Sequence, residues 1–265
     1  MRGLVFPGDR RARIEEFDDP QPGPGEVVIA IKAAAICGSD MHSYRTPTAK
    51  RALSGAASII PGHEPAGVVH AVGDGVANVK IGDRVAVYHF RSCGYCPECQ
   101  AGRLMWCDTR RGYGGPIHGS DADLLLTDAR NCLPLPDDVS FALGAILMCV
   151  GGTAYQAMKK IDARVNRRIA VFGLGPVGLA GLLYARAMGA EVIGINNRDL
   201  HSFHVDLAVS ERLAPLCPAE TAVVAESGIF TREDVDRVAA AGADAILVGE
   251  ALITSLDRHA RLVEL

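Results

Sequence analysis

The chain has 265 residues, enough for one large domain or two modest domains with separate cores. Hydrophobic residues make up 49% and charged residues 22%, which is typical of globular proteins and unlike disordered chains. A net charge of −4 and the lack of a basic stripe argue against a nucleic-acid partner.

Targeting and redox signals point to the cytoplasm. Pro7 and Gly8 end a short N-terminal apolar run, and no stretch approaches the roughly 20 apolar residues of a membrane helix. We therefore expect a cytoplasmic protein with no membrane partner. In that compartment, the eight cysteines favour metal binding or catalysis over disulfides.

The first part of the chain reads as short strands separated by Gly, Pro and Asp turns. The clearest are the apolar runs Val27–Ile31, Ala66–Val69 and Arg84–Val87. Short strands at this spacing predict a barrel-like β domain, to which we assign residues 1–155.

The character changes at a buried-type strand, Arg168–Phe172. An apolar helix to about Met188 and a second strand, Glu191–Ile195, follow it. This pattern predicts one βαβ unit, a partial dinucleotide-binding unit over residues 156–195. Its strand-to-helix turn holds the candidate cofactor residues Gly173, Gly175, Pro176, Val177 and Gly178.

Residues 196–265 continue in α/β style. We predict a strand at Val223–Ala225, a helix capped by Thr231 and ended by Gly242, a strand at Ala245–Val248, and a last helix to Leu265. The predicted fold class is thus β followed by α/β.

Four cysteines, which we call the cysteine knuckle, give the strongest chemical signal. Their spacing is Cys93-x2-Cys96-x2-Cys99-x7-Cys107, with glycines and a proline supplying the turns. Tetrahedral zinc takes four thiolates at about 2.3 Å, and tightly spaced cysteines in a turn-rich loop supply them. The alternatives are an iron–sulfur cluster or unligated thiols. We predict a structural zinc.

A second donor set is spread along the chain and comprises Cys37, His63, Glu64 and Cys149. Each residue alone is a weak signal, because a lone buried cysteine usually behaves as a small hydrophobe. Two thiolates and one imidazole are together the ligand set of a catalytic zinc with an open fourth position.

Five ordered motifs resemble the zinc-dependent medium-chain dehydrogenase family, which includes alcohol, polyol and threonine dehydrogenases. The resemblance covers residues 1 to about 195. The motifs are Cys37-Gly38-Ser39-Asp40, Gly62-His63-Glu64, the cysteine knuckle, Gly82-Asp83-Arg84-Val85 and Gly173-x-Gly175-x-x-Gly178.

The resemblance implies two zinc ions per chain, NAD or NADP, and a small-molecule alcohol substrate. Cys37, His63 and Cys149 would hold the catalytic zinc, with Glu64 as a transient ligand or a neighbouring group. Zinc lowers the pKa of a bound alcohol. Ser39 would then take the hydroxyl proton and pass it towards His42, for which a solvated surface histidine is the alternative.

The cofactor site departs from the family at the end of its second strand. An acid there usually grips the ribose hydroxyls, but this chain has Asn196, Asn197 and Arg198. Arg198 could be read as a ligand of a 2′-phosphate, which would favour NADP.

The part from about residue 191 to 265 resembles indole-3-glycerol-phosphate synthase, a (βα)8 barrel. Three motifs occur in order: Gly194–Leu200, Ala225–Ile229 and Val248–Leu252. By that resemblance Asn196 and Glu226 match substrate-contacting positions, and Ser227, Gly228 and Gly249 match phosphate-binding loops. Three βα units cannot close a barrel of eight strands, so these residues could equally be inherited sequence without a role.

The chain therefore reads as a chimera joined near Gly189–Asn196. Its tail could extend the parallel sheet, because right-handed βαβ crossovers are alike in both folds. Three functions stay open: a zinc dehydrogenase, a zinc-binding protein without catalysis, and a binder of phosphate ligands. A homo-oligomer is possible by the resemblance, although the family's usual interface strands are missing.

Overall fold

The computed structural model describes most of the chain and divides it into two compact units, Met1–Cys149 and Val150–Leu265. The described residues are 1–53, 58–172, 175–195, 197, 204–218, 221–248, 250–253, 255 and 257–265.

The first unit is built on antiparallel strands. Its main sheet has the order β8-β3-β4-β5-β9, and β1-β2 and β6-β7 form two smaller sheets. The strands of this unit are β1 Arg2–Gly8, β2 Arg11–Glu16, β3 Glu26–Ala35, β4 Glu64–Val72, β5 Arg84–Val87, β6 Phe90–Arg91, β7 Arg111–Gly112, β8 Leu124–Asp128 and β9 Cys132–Pro134.

Strands β3 and β4 form the centre of this sheet because their apolar residues are buried. Val27 and Ile29 on β3 are fully buried with Val69 on β4, in a cluster that also contains Val85. Gly67 on β4 has no side chain where β3 passes closely, and a Cβ there would lie 2.2 Å from the Ala30 carbonyl oxygen. The predicted strands of this region are therefore present, as parts of β3, β4 and β5.

Four short helices accompany these strands: α1 Asp40–Arg45, α2 Thr48–Leu53, α3 Pro97–Gln100 and α4 Phe141–Ile146. Helix α4 contacts β3, β4 and β5. Its face towards the strands carries Gly144 and Ala145, and a Cβ at Gly144 would lie 2.8 Å from the Leu135 side chain. Small residues thus let this helix approach the sheet closely.

The second unit has a parallel sheet with helices along it. Its elements are α5 Gly152–Lys160, β10 Arg168–Phe172, α6 Pro176–Ala187, β11 Glu191–Ile195, α7 Ala208–Leu213, β12 Thr221–Glu226, α8 Arg232–Ala240, β13 Ala245–Leu247, α9 Glu250–Ile253 and α10 Arg258–Glu264. Strands β10 and β11 match the two predicted strands residue for residue.

The order of the four strands is β11-β10-β12-β13. Strand β10 pairs with β11 along one edge and with β12 along the other, both in parallel. The tail therefore extends the sheet that begins at Arg168. Consecutive strands of a (βα)8 barrel are neighbours, whereas here β10 separates β11 from β12. The reversal on either side of β10 is the arrangement of doubly wound sheets.

The tail has a core of its own. Val238 on α8 is fully buried against a cluster that includes Val223 and Ala225 on β12. Thr231 caps α8 through the Asp234 amide, and the Asp234 carboxylate accepts from the Thr231 amide, which is the predicted capping motif. Folding of this segment is thus supported by both local and long-range contacts.

One long helical run differs from the sequence expectation. Helix α4, a π-helical turn at Leu147–Gly151 and helix α5 follow one another without a break. The run Phe141–Lys160 has 20 residues and contains an 18-residue stretch with a mean hydropathy of 1.4, so by length and composition alone it could cross a membrane. The expectation that no stretch approaches this length was wrong by this criterion, which the core helix of a globular protein also meets.

We expect Val238→Ala to destabilise the second unit by about 2 kcal/mol, because it removes two buried methyl groups and leaves a cavity. Val263→Ala on α10 is the matched control, since Val263 is 73% exposed. Urea unfolding, followed by circular dichroism, measures both. Equal unfolding midpoints for the two variants would contradict a packed core in the tail.

Candidate functional site

The cysteine knuckle forms a compact group of four sulfur atoms. Cys96 precedes α3, Cys99 lies on it, and Cys107 follows a short 3₁₀ turn at Leu104–Trp106. The four Sγ atoms all lie within 4.8 Å of one another. Gly94 and Gly102 have φ angles of 82° and 74°, which turn the loop around the group.

The sulfur spacing fits a single tetrahedral metal ion. The Cys93 Sγ lies 3.8 Å from the Cys99 Sγ and 3.6 Å from the Cys107 Sγ. A zinc–sulfur distance of about 2.3 Å gives tetrahedral edges of about 3.8 Å, whereas a disulfide needs about 2.05 Å. The Cys93 amide donates to the Cys107 sulfur and the Cys96 amide to the Cys93 sulfur, which stabilises thiolates.

Arginine side chains hold the knuckle against the first unit. The Arg130 guanidinium donates to the carbonyl oxygens of Ser92 and, at 3.0 Å, of Cys93. The Asp128 carboxylate pairs with Arg130 at 3.5 Å and with Arg91 at 3.0 Å. Because Asp128 ends β8, this network ties the knuckle to the central sheet.

The second donor set converges in the first unit, as the ligand set predicted from sequence requires. The sulfur atoms of Cys37 and Cys149, a His63 ring nitrogen and a Glu64 oxygen all lie within 4.8 Å of one another. Register explains half of this. Ala35 at the end of β3 pairs with Glu64 at the start of β4, so Cys37 and His63 emerge at the same end of the strand pair.

Cys149 comes from a part of the sequence far from the other three donors. It lies in the π-helical turn that follows α4, and α4 packs on β3 and β4. Widened turns of this kind often occur at functional sites. The helix thus carries a donor from a distant part of the sequence to the end of the strand pair.

The charges in this donor set are strongly coupled. A hydrogen bond from the Cys149 thiol, helped by His63 and Ser39, lowers the pKa of Cys37 to about 2. Burial lowers the pKa of His63, but hydrogen bonds with Asp40 and Cys37 outweigh it and raise that pKa to about 10. The pKa of the Cys149 thiol is raised by its bond to Cys37 and by burial.

The environment of Glu64 also suits the binding of a cation. It is 2% exposed, and its Oε1 atom has no hydrogen-bond partner among the described residues. Burial, together with the Cys37 charge, raises the pKa of Glu64 to about 7. Two thiols, an imidazole and a carboxylate oxygen without a hydrogen-bond partner, grouped at one partly buried place, fit a zinc ion better than any arrangement of protons on these groups.

Asp40 is a site residue that the sequence analysis did not identify. One carboxylate oxygen accepts from the Cys37 amide at 2.8 Å, and the other lies 3.4 Å from the His63 Nδ1 atom. A carboxylate on one ring nitrogen fixes the tautomer, which leaves the lone pair of the other nitrogen available to bind a metal. The signal was present in the motif, since Asp40 follows Cys37 by three residues at the start of α1.

The residues predicted to move protons lie on α1 or directly before it. Ser39 precedes the helix, is half-buried and hydrogen bonds to Cys37. His42 is exposed, one turn further along. The structure thus brings Ser39 to the donor set and leaves His42 in contact with solvent.

His89 is a second residue that the sequence analysis missed. Its ring centroid lies 6.4 Å from that of His63, and its Nδ1 atom lies 2.8 Å from the Met148 carbonyl oxygen. Burial lowers the pKa of His89. No local sequence motif marks this position, which follows β5.

The predicted cofactor turn is described only in part. Gly173 lies outside the described residues. Gly175 precedes α6 in extended conformation with no atom within 4 Å of an added Cβ, Pro176 and Val177 open the helix, and Gly178 is buried in it. An open glycine before an uncapped helix N-terminus suits a phosphate group.

The candidate residues of the tail are described only in part. Asn196 and Gly249 lie outside the described residues, and Glu226 ends β12. Ser227 and Gly228 follow with φ angles of 72° and 81°. The buried Asn197 accepts from the Ser210 amide and hydroxyl, so its oxygen already has internal partners.

Comparison with known proteins supports both predicted resemblances. A family model of the alcohol dehydrogenase GroES-like domain matches residues 23–137, and one of indole-3-glycerol phosphate synthase matches residues 180–265. The uncharacterized zinc-type alcohol dehydrogenase-like protein YphC of Escherichia coli is 35% identical over 203 residues, covering 74% of this chain and 58% of YphC. An alcohol dehydrogenase of Geobacillus stearothermophilus is 33% identical, with 71% and 55% covered.

A solved structure shows the same fold. Galactitol-1-phosphate dehydrogenase from Escherichia coli matches with a TM-score of 0.75 at 24% identity, covering 93% of this chain and 74% of that chain. Residues 1 to about 195 resemble the zinc-type medium-chain alcohol dehydrogenases, and they are joined to a segment that resembles indole-3-glycerol-phosphate synthase. The chain spans 55 to 58% of the length of the two curated relatives.

We expect Arg130→Met to speed zinc loss from the cysteine knuckle about 10-fold, because comparable neighbouring groups change metal affinity by that order. The variant loses the donors to the Ser92 and Cys93 carbonyls and a positive charge beside four thiolates. Arg103→Met is the matched control, since Arg103 lies in the same loop and pairs with exposed Glu98. A chromophoric chelator measures release, and equal rates in both variants would contradict the anchoring role.

Proposed function

We propose that the chain is a zinc-dependent oxidoreductase that transfers a hydride between an alcohol or polyol and NAD or NADP. The carrying observation is the convergence of Cys37, His63, Glu64 and Cys149 within 4.8 Å. The alcohol dehydrogenases among the relatives, one of them named zinc-type, support this reaction class.

In this proposal the chain binds two zinc ions. Cys37, His63 and Cys149 hold the catalytic ion, while Cys93, Cys96, Cys99 and Cys107 hold the structural one. Zinc at the first site supplies a Lewis acid that lowers the pKa of an alcohol. Glu64 is buried with its carboxylate within 4.8 Å of these three donors, where it could bind the ion in the absence of substrate.

The protein side of the mechanism uses groups already in place. Ser39 lies beside Cys37, where its hydroxyl can accept the substrate proton, and His42 on the next turn passes the proton to solvent. Asp40 keeps His63 oriented through its Nδ1 atom. These positions follow from one short helix, α1, and the strand end that precedes it.

The proposed cofactor residues are Gly173, Gly175, Pro176, Val177 and Gly178. Their backbone approaches the pyrophosphate at the start of α6, where the helix N-terminus favours negative charge. Close after β11, where an acid usually binds the ribose hydroxyls, the described residue is Asn197. The lack of an acid at this position reduces the binding energy available for a ribose.

Three further proposals concern the chain as a whole. The chain has three segments: a barrel-like β catalytic domain (residues 1–155), a partial nucleotide-binding unit (156–195) and βα units that resemble the end of a (βα)8 barrel (196–265). We place the protein in the cytoplasm with a small-molecule alcohol as partner. We do not propose the synthase reaction, because β10 separates two strands that would be neighbours in the barrel.

The competing function is zinc binding without catalysis. It is favoured by Asn197, which lies close after β11, where an acid usually binds the ribose, and whose side-chain oxygen already accepts from Ser210. It predicts two zinc ions per chain and no rate that depends on the cofactor.

We expect the intact chain to contain two zinc ions and to reduce NAD or NADP with members of an alcohol and polyol panel. Cys149→Ala should contain one zinc ion, and its kcat/KM should fall at least about 100-fold, since the metal contributes several kcal/mol. Elemental analysis and nicotinamide absorbance measure both properties.

Cys217→Ala provides the matched control, because Cys217 belongs to neither donor group and donates only to the Leu213 carbonyl. It should keep both ions and full activity. Two zinc ions in the intact chain without turnover would support the competing function, and one zinc ion would refute the assignment of the second donor set.

A further inference from the structure

We propose that His89 is a positioning residue for the second donor set: its imidazole fixes the Met148 carbonyl and so holds Cys149 in place for the metal. The inference rests on the proposed function, since it concerns the same zinc site. Nothing in the motifs of the sequence assigns a role to His89.

The hydrogen bond to the Met148 carbonyl determines which nitrogen of the His89 ring is protonated. The His89 Nδ1 atom lies 2.8 Å from the Met148 oxygen, and a carbonyl oxygen can only accept. Nδ1 therefore carries a proton and donates. The ring holds this orientation because Tyr88 and Phe90 flank it, with centroids 4.7 and 4.3 Å away.

The acceptor lies where a helix most needs one. Met148 belongs to the π-helical turn Leu147–Gly151, and a widened turn disturbs the regular pairing of helical carbonyls. The Met148 side chain packs against the cluster of Ala66, Ala86 and Ala145. Packing on one side and the imidazole on the other fix this residue.

The consequence reaches the metal through one peptide bond. The Met148 carbonyl and the Cys149 amide share a planar unit, so fixing the carbonyl also fixes the direction in which Cys149 leaves the chain. Cys149 is the donor that comes from outside the β3–β4 strand pair. Its sulfur would otherwise depend on the turn alone for its place near Cys37 and His63.

The decisive comparison uses two substitutions at one position. His89→Phe keeps an aromatic ring and loses the donor. His89→Asn loses the ring but keeps an N–H on the atom that follows Cγ, which is the place of the histidine Nδ1 atom. His70→Phe is the control, since His70 is exposed on β4 and takes the same substitution.

Zinc affinity is measured by competition with a fluorescent chelator, and the ion of the cysteine knuckle serves as the internal reference. We expect His89→Phe to weaken the second ion by about 10- to 100-fold, while the knuckle ion, His89→Asn and His70→Phe stay within a few fold of the parent chain. Cobalt substitution should show a changed visible spectrum for His89→Phe alone.

Equal affinity of the second ion in His89→Phe and the parent chain would overturn the inference. Where His89→Phe also loses the knuckle ion, His89→Asn decides: parent-like affinity supports the inference, and weakened affinity overturns it. A parent chain with only one zinc ion would instead refute the proposed function, so the two failures are distinguishable.

Discussion

The burial of several sulfur and nitrogen donors in two small volumes is the constraint on which the first unit depends. Thiolates and carboxylates lose hydration when buried, and only a cation or protons can compensate their charge. In the second donor set, protons compensate the charge of some groups at the cost of others: the pKa of Cys37 falls to about 2, while that of Glu64 rises to about 7. A divalent ion would remove this conflict, since all the donors could then bind the ion through lone pairs and the thiols and the carboxyl group would be deprotonated.

The scaffold brings these donors together by two different means. The cysteine knuckle is local, so turns at Gly94 and Gly102 suffice to close it, and the Arg130 network then attaches it to β8. The second donor set is non-local: strand register places Cys37 beside His63, and the packing of α4 adds Cys149. A local site tolerates substitutions elsewhere in the unit. A non-local site needs neighbouring groups that hold its donors in position, the role of Asp40 beside His63 and the role proposed for His89 beside Cys149.

Sequence reasoning was strongest where the signal is local. The strand bounds at Arg168–Phe172 and Glu191–Ile195, the cap at Thr231 and the spacing of the knuckle all follow from neighbours in the chain. It could not foresee that β12 pairs with the free edge of β10, because edge choice depends on packing of distant helices. His89 and Arg130 were missed for a related reason, since each acts on a partner that only the fold brings near. Asp40 bonds locally to the Cys37 amide, but its second partner, His63, is distant in sequence.

The join between two families is tolerated because a parallel sheet asks little of its strands. Strand β10 pairs with β11 along one edge and with β12 along the other, which gives a doubly wound strand order that includes residues of the segment resembling the barrel. Binding of the cofactor ribose depends more on single residues. Asn197 cannot replace the acid that usually follows this strand, because its side-chain oxygen already accepts from Ser210. The metal donors, by contrast, all lie between residues 37 and 149 in the first unit. The proposed zinc binding therefore depends on the first unit, whereas the proposed hydride transfer also needs the cofactor turn, so hydride transfer could be lost while zinc binding is kept.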